Sequence, residues 1–251
     1  AGRRLTVIEG DNNIYDLSQS STQVFLQSGA GAVAETVQSR GRWFGYVTDY
    51  LSDADRTSLR AGSAVDISTA LTDALTEHTV VFVPPYDDYT LGSSVTIPAN
   101  KGIVGFNKMN TTFTKAFNGD MLDMSADSCF LEGVYLAGAG ATYTGKGVLI
   151  GTAASGKQKI HHVKIDDTSG ACIDFSDKAA GSQFSGFDLY LNRRNSGTGT
   201  GNYAVTVQDT VAVAAIPRKF SHIETGGGCS FSFGGASDFF VSDSFIGDIA
   251  Y

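Results

Sequence analysis

Charged side chains are scarce in this chain of 251 residues, at 18% of the sequence. Ordinary soluble domains carry roughly 25%. With 42% hydrophobic residues beside it, so low a charge excludes wholesale disorder. The 18 Lys+Arg face 26 Asp+Glu, a net charge of -8. That balance argues against nucleic acid or an anionic membrane as partner, because both need clustered Lys and Arg. Cysteine is limited to Cys129, Cys172 and Cys229, with no C-x-x-C pair. A disulfide framework does not fit, and small buried thiols are expected, as in a protein assembled in a reducing cytoplasm. Proline is rare, with 4 residues, and no G-X-Y period occurs, which excludes collagen. Long apolar runs are missing too. The longest, Val80–Val83 and Val211–Ile216, fall far short of the ~20 residues of a membrane span, so no membrane insertion is expected. The opening Ala1–Leu5 lacks the hydrophobic stretch of a signal peptide.

What is present is glycine, 30 residues of it, with 11% aromatics among Ser, Thr and Asp. This composition leans all-β. Within Gly29–Arg42, Val33 and Val37 recur at helical spacing and Gly41 ends the run, which predicts a short helix. The one strong helix signal is Asp66–His78, where Ile67, Ala70, Leu71, Ala74 and Leu75 form a single apolar stripe. Asp66 is positioned to cap its start. Strands follow at Val80–Val83, Ser94–Ile97 and Ile103–Phe106. From there an apolar-x-x-apolar-x-apolar unit recurs: Leu131/Val134/Leu136, Ile160/Val163/Ile165, Phe184/Phe187/Leu189, Phe220/Ile223/Thr225 and, more weakly, Val241/Ser244/Ile246. A two-residue turn, an alternating strand and a variable Gly/Asp/Asn-rich loop make one rung of a parallel β-solenoid. An antiparallel sandwich is the alternative, but few Asn-Gly or Asp-Gly hairpin turns support it.

The segment GAVAETVQSRGRWFGYVTDYL (31–51) resembles the GAVARTVQ segment of bacteriophage tailspikes and related pectate-lyase-like proteins. In those families a helix of the type DDTAAIQAAI follows, then a VYVPPGTY strand. Here the matching text is Asp66–Leu75 and then TVVFVPPYDDYTLGSSVTIPANKGIVGF (79–106). The likeness in order and spacing covers roughly residues 29–113 and is a matter of rung pattern beyond. Two departures stand out: LSDADRTSLRAGSAVD (51–66) replaces the family's Gly-Asp-Gly turn, and Tyr86-Asp87-Asp88 replaces the Gly after Pro-Pro.

The resemblance implies a right-handed parallel β-helix with one capping helix. It divides the chain into a connector or particle-binding segment, 1–60, and a solenoid, 61–251. It also implies a homotrimer in the virion tail, made in the host cytoplasm, joined to a tail or baseplate protein through its N-terminal segment. Its glycan partner would be bacterial capsular or O-antigen polysaccharide, bound and depolymerised. The end at Tyr251, in mid-unit, predicts an incomplete solenoid or an unusually short spike. The late aromatics Phe231, Phe233, Phe239, Phe240 and Phe245 suit a buried flank between subunits. A non-catalytic adhesive module of a longer spike and a cellular pectin-type lyase or hydrolase are the alternatives.

Aligning the rungs on their first apolar residue gives an outward column of Tyr135, Lys164, Asp188, Glu224 and Phe245. Asp188 and Glu224 are the expected acid/base or nucleophile pair, and adjacent rungs would bring them near the ~5–5.5 Å of a retaining glycosidase. A glycoside hydrolase is favoured over a lyase. Lys164 assists with charge and Tyr135 stacks on a sugar ring. Arg193 and Arg194, with the cluster Lys157 and Lys159, suit acidic sugars. No Cys/His/carboxylate spacing supports a metal, and no cofactor is expected. Asp166-Asp167 reads as an Asp-rich turn in preference to a calcium site. His161-His162 and His222 fall in the turns inside two rungs.

Overall fold

The structure, a computed structural model, describes residues 43–86, 89–151, 157–175 and 183–193, with side chains of the last segment described over 184–192. Elsewhere it describes only the backbone of short strands between residues 6 and 36 and between 205 and 246. The chain forms a right-handed parallel β-helix. Four complete coils lie within the described residues, each contributing to three strand columns.

The first column begins with Phe44–Tyr46 and runs through Val80–Val83, Gly102–Gly105 and Phe130–Glu132 into the first half of Lys157–Thr168. The second stacks Val65–Asp66, Tyr89–Leu91, Thr112–Lys115, Tyr135–Ala137 and the second half of Lys157–Thr168. The third stacks Val95–Thr96, Leu122–Asp123, Val148–Leu149 and Ile173–Asp174. Gln183–Arg193 and Arg218–Gly226 extend the first two columns in the same parallel sense. The only antiparallel pairs in the described backbone are near the N-terminus, Thr6–Ile8 with Ile14–Asp16 and Val24–Phe25 with Glu35–Thr36. The latter corrects the short helix expected at Gly29–Arg42: Glu35–Thr36 is extended. Gly and the β-branched Val33, Thr36 and Val37 lower the helix propensity of that stretch.

Alternation along each strand sends one row inward, and stacked coils turn these rows into apolar columns. Val81, Ile103, Leu131 and Ile160 stack in register in the first column. Tyr89, Phe113, Leu136, Ile165 and Leu191 do so in the second. All of them are 0–1% exposed. Two helices close the N-terminal end. Helix α1, Asp53–Arg60, starts at Ser52, whose Oγ accepts from the Asp55 amide at 3.1 Å. Helix α2, Ser68–Glu77, packs on Val80–Val83 and Val95–Thr96 with Ala70, Leu71, Ala74 and Leu75 buried. Asp66 caps it from one residue further out than the expected N-cap. Its Oδ1 accepts from the Ser68 amide at 2.9 Å and from the amide of Gly92, just after the second-column strand Tyr89–Leu91, at 3.1 Å. Cys129 and Cys172 are free and buried, whereas Cys229 lies outside the described residues.

The inner column makes two contrasting predictions. Phe113 is fully buried between Tyr89 and Leu136, so Phe113→Ala should cost about 3–5 kcal/mol in urea unfolding. The Tyr89 hydroxyl is buried without a hydrogen-bond partner. Removing an unsatisfied polar group is neutral to favourable, so Tyr89→Phe should leave stability unchanged or raise it by about 1 kcal/mol.

Candidate functional site

The outward face of the second column carries a connected group of polar and aromatic side chains. Strand register stacks Tyr135 on Lys164, Lys164 on Tyr190 and Tyr190 on Glu224. Lys164 Nζ sits 4.1 Å from the Tyr135 ring centroid and 5.4 Å from that of Tyr190, a cation between two rings on neighbouring coils. Two residues further along the same strands lies a second outward row, Ala137, Asp166 and Asn192. Asp166 Oδ2 is 3.4 Å from Lys164 Nζ and accepts from the Tyr135 hydroxyl at 3.5 Å. Its Oδ1 accepts from Asn192 Nδ2 at 2.8 Å. Burial alone would lower the Lys164 pKa, but Tyr135 and Asp166 outweigh it and hold the ammonium above its usual range. Burial and the Asp166 charge push the Tyr135 phenol up. The row therefore presents a cation, a carboxylate, an amide and two phenol rings on one shallow face.

Asp188 is elsewhere. The rung alignment puts it in the outward column, but Leu189 pairs with Val163 and Tyr190 with Lys164, so Tyr190 takes that place. The unit Phe184/Phe187/Leu189 is thus two residues out of step; the register-matched unit is Gly186/Leu189/Leu191. Phe184 turns inward against Phe175, ring centroids 4.8 Å apart, and occupies the row of Gln158. Asp188 stands at the corner between the first two columns, with φ of 50°, equivalent to His162 at 53° and Gly133 at 67°. Its Oδ2 lies 2.9 Å from His162 Nδ1, and its Oδ1 accepts from Lys108 Nζ at 2.7 Å. Burial would raise the Asp188 pKa, yet the hydrogen bonds from Lys108 and His162 prevail and keep it below the usual carboxylate range.

Comparison with known protein families, characterised proteins and solved structures finds no match to this chain.

Of the residues expected from sequence, Tyr135 and Lys164 meet directly. The backbone of Glu224 pairs with Tyr190 and that of Phe245 with Glu224. Asp188 precedes Tyr190 by two residues, so it lies at the corner that comes before the level of Glu224 on the neighbouring strand. Arg193 ends its strand opposite Thr168. The side chains of Arg193 and Glu224, and Arg194 altogether, lie outside the described residues. Sequence reasoning missed Lys108, Tyr190 and Asn192 and gave Asp166 to a turn. Tyr190 was hidden by the two-residue slip. Lys108 reaches Asp188 from a loop 80 residues away, which no local pattern signals.

The corner predicts a pH effect. Because the folded Asp188 pKa lies below the unfolded ~3.9, the carboxylate adds stability above about pH 4 and loses it as pH falls through the folded value. Asp188→Asn should be less stable at pH 6, by under ~1 kcal/mol for so exposed a pair. The two proteins should converge in thermal unfolding once the pH falls below the folded pKa of Asp188, where the native carboxyl is protonated as well.

Proposed function

We propose that this chain is the solenoid region of a phage tailspike, a virion protein that attaches to bacterial surface polysaccharide and depolymerises it. The observation that carries the reading is the outward ladder Tyr135–Lys164–Tyr190, with Asp166 and Asn192 beside it, on a parallel β-helix. An extended glycan is held by rings that cover its apolar faces and by donors and acceptors that repeat along its length. Successive coils supply both at a fixed spacing of about 4.8 Å. Tyr190 offers ring area, Lys164 donates, Asp166 accepts and Asn192 does both. Arg193, the last residue of the same strand, and Arg194, next in the sequence, are the further contacts for the glycan. Residues 1–60 join the spike to the tail, with Phe44–Tyr46 and helix α1 of that segment built onto the solenoid, and the chain assembles as a homotrimer. The exposed aromatics Trp43, Phe44 and Tyr46 are apolar surface of the kind that assembly covers.

In cleavage, Asp188 is the base or nucleophile, because its carboxyl is held ionised by Lys108 and His162. Glu224 is the acid. Asp188 and Glu224 stand on neighbouring parallel strands, as a carboxylate pair that flanks one glycosidic bond requires. One observation favours an adhesive module in its place: Asp166 on this face and Asp188 at the corner beside it are both engaged by cations.

A single set of measurements tests both readings, using the full chain with capsular and O-antigen polysaccharides. Lys164→Met and Tyr135→Ala should weaken binding about tenfold or more, the scale of one charge-assisted bond or stacked ring. Asp188→Asn and Glu224→Gln should keep binding and cut oligosaccharide release by about 10². Binding without release from the wild-type chain selects the adhesive module. Absence of binding to any glycan overturns the tailspike reading.

A further inference from the structure

The five other lysines of the described solenoid each have an acceptor within reach. Lys101 donates to the Leu75 and Thr76 carbonyls. Lys108 pairs with Asp188 and Lys164 with Asp166. Lys115 is buried and donates to the Thr144 carbonyl at 2.6 Å. Lys146 pairs with Asp174 at 2.7 Å. Lys157 and Lys159 break this rule. Both are exposed, and neither ammonium has a hydrogen bond or ion pair among the described residues. In a chain of net charge -8, two unpaired cations two residues apart are a local exception to the general sign of the charge.

They also share a cavity. Lys157 and Lys159, at i and i+2, point to the same outward side of the first column. They line a groove of about 360 Å³ with Ser128, Phe130, Glu132 and His161. Phe130 is the register partner of Lys159 on the preceding coil. Its ring lies over Gly102, where a Cβ would come within 2.5 Å of it, so the glycine leaves the ring flat against the sheet. The groove therefore offers a half-buried aromatic platform with two cations at one edge. Glu132, at the other, makes no ion pair with either lysine among the described residues. His161 donates to or accepts from Ser185 Oγ at 3.2 Å, and burial holds its ring below its usual pKa, which leaves the positive charge to the lysines.

We propose that this first-column groove is a second glycan subsite, which takes a carboxylate-bearing sugar, a uronic or sialic acid, with the ring on Phe130 and the carboxylate between Lys157 and Lys159. The inference rests on the polysaccharide-binding reading and deepens it. It makes the preferred glycan acidic and gives the first column a role separate from the Tyr135–Lys164–Tyr190 ladder. A carboxylate fits because it is a compact anion that two point-charge ammonium groups can share. A neutral sugar would leave both ammonium groups unpaired.

The test uses the full chain on a panel of immobilised capsular polysaccharides, each in native form and with its carboxyl groups reduced to alcohols. Acidic members should bind at least about tenfold more tightly in native than in reduced form, the scale of one charge-assisted hydrogen bond. The double variant Lys157→Gln/Lys159→Gln should erase that difference, and Lys157→Arg/Lys159→Arg should retain it. Lys164→Met should weaken native and reduced forms alike. Equal binding of native and reduced forms by the wild-type chain overturns the acidic subsite and leaves the tailspike reading standing. So does a double variant that still discriminates. No binding to any member overturns the tailspike reading, and the subsite with it.

Discussion

A parallel coil cannot satisfy itself. Its strand amides and carbonyls point along the solenoid axis, and its inward side chains cover only part of the bore, so each coil depends on the ones above and below. This stacking constraint governs the rest of the molecule. It demands one inward row per column, supplied here by the series Val81, Ile103, Leu131, Ile160 and by Tyr89, Phe113, Leu136, Ile165, Leu191. It also demands an end cap, because the first coil has no neighbour on one side. Helix α2 provides the apolar part with Leu71 and Leu75, and Asp66 provides the polar part by taking amides from both the helix and Gly92, just after the second-column strand.

The same constraint shapes the corners. Where the first column bends into the second, successive coils must turn at the same place, and the turning residue takes a left-handed conformation in Gly133, His162 and Asp188. Glycine does this freely, and a Cβ at Gly133 would also strike the Gly105 carbonyl oxygen at 2.4 Å. His and Asp are among the residue types that tolerate the conformation best. A backbone requirement thus places an imidazole and a carboxylate one above the other on the outer edge, where Lys108 joins them. The edge separates the two outward faces, with the aromatic and ionic ladder on one side and the lysine groove on the other.

Electrostatically the solenoid behaves as an acidic protein that spends most of its lysines on internal links. Lys101 ties the second coil to helix α2, Lys115 ties the end of a strand to the next loop, and Lys146 bridges to the nearly buried Asp174. Cations used in this way hold coils together. Positive potential at the surface is consequently concentrated on the few lysines left over, and their position on the sheet matters more than their number.

By itself the sequence determined which elements would stack and which rows would face inward. Apolar alternation and a helical stripe are local signals, and burial rewards them in any context. Four of the five rung alignments agree with the register, as do the strands at Val80–Val83 and near Ile103 and the helix after Asp66. Helix α1 escaped notice because only Leu59 in it is buried, although Ser52 and Asp55 carried a capping signal three residues apart. The register of Gln183–Arg193 belonged to the tertiary structure alone. Side chains along a strand alternate with period two, so a slip of two residues keeps every side chain on its own face and leaves the pattern unchanged. What selects one register is the packing of Phe184 on Phe175 and the left-handed corner at Asp188, both of which exist only once neighbouring coils are in place. That choice put Tyr190 in the ladder and Asp188 on the corner.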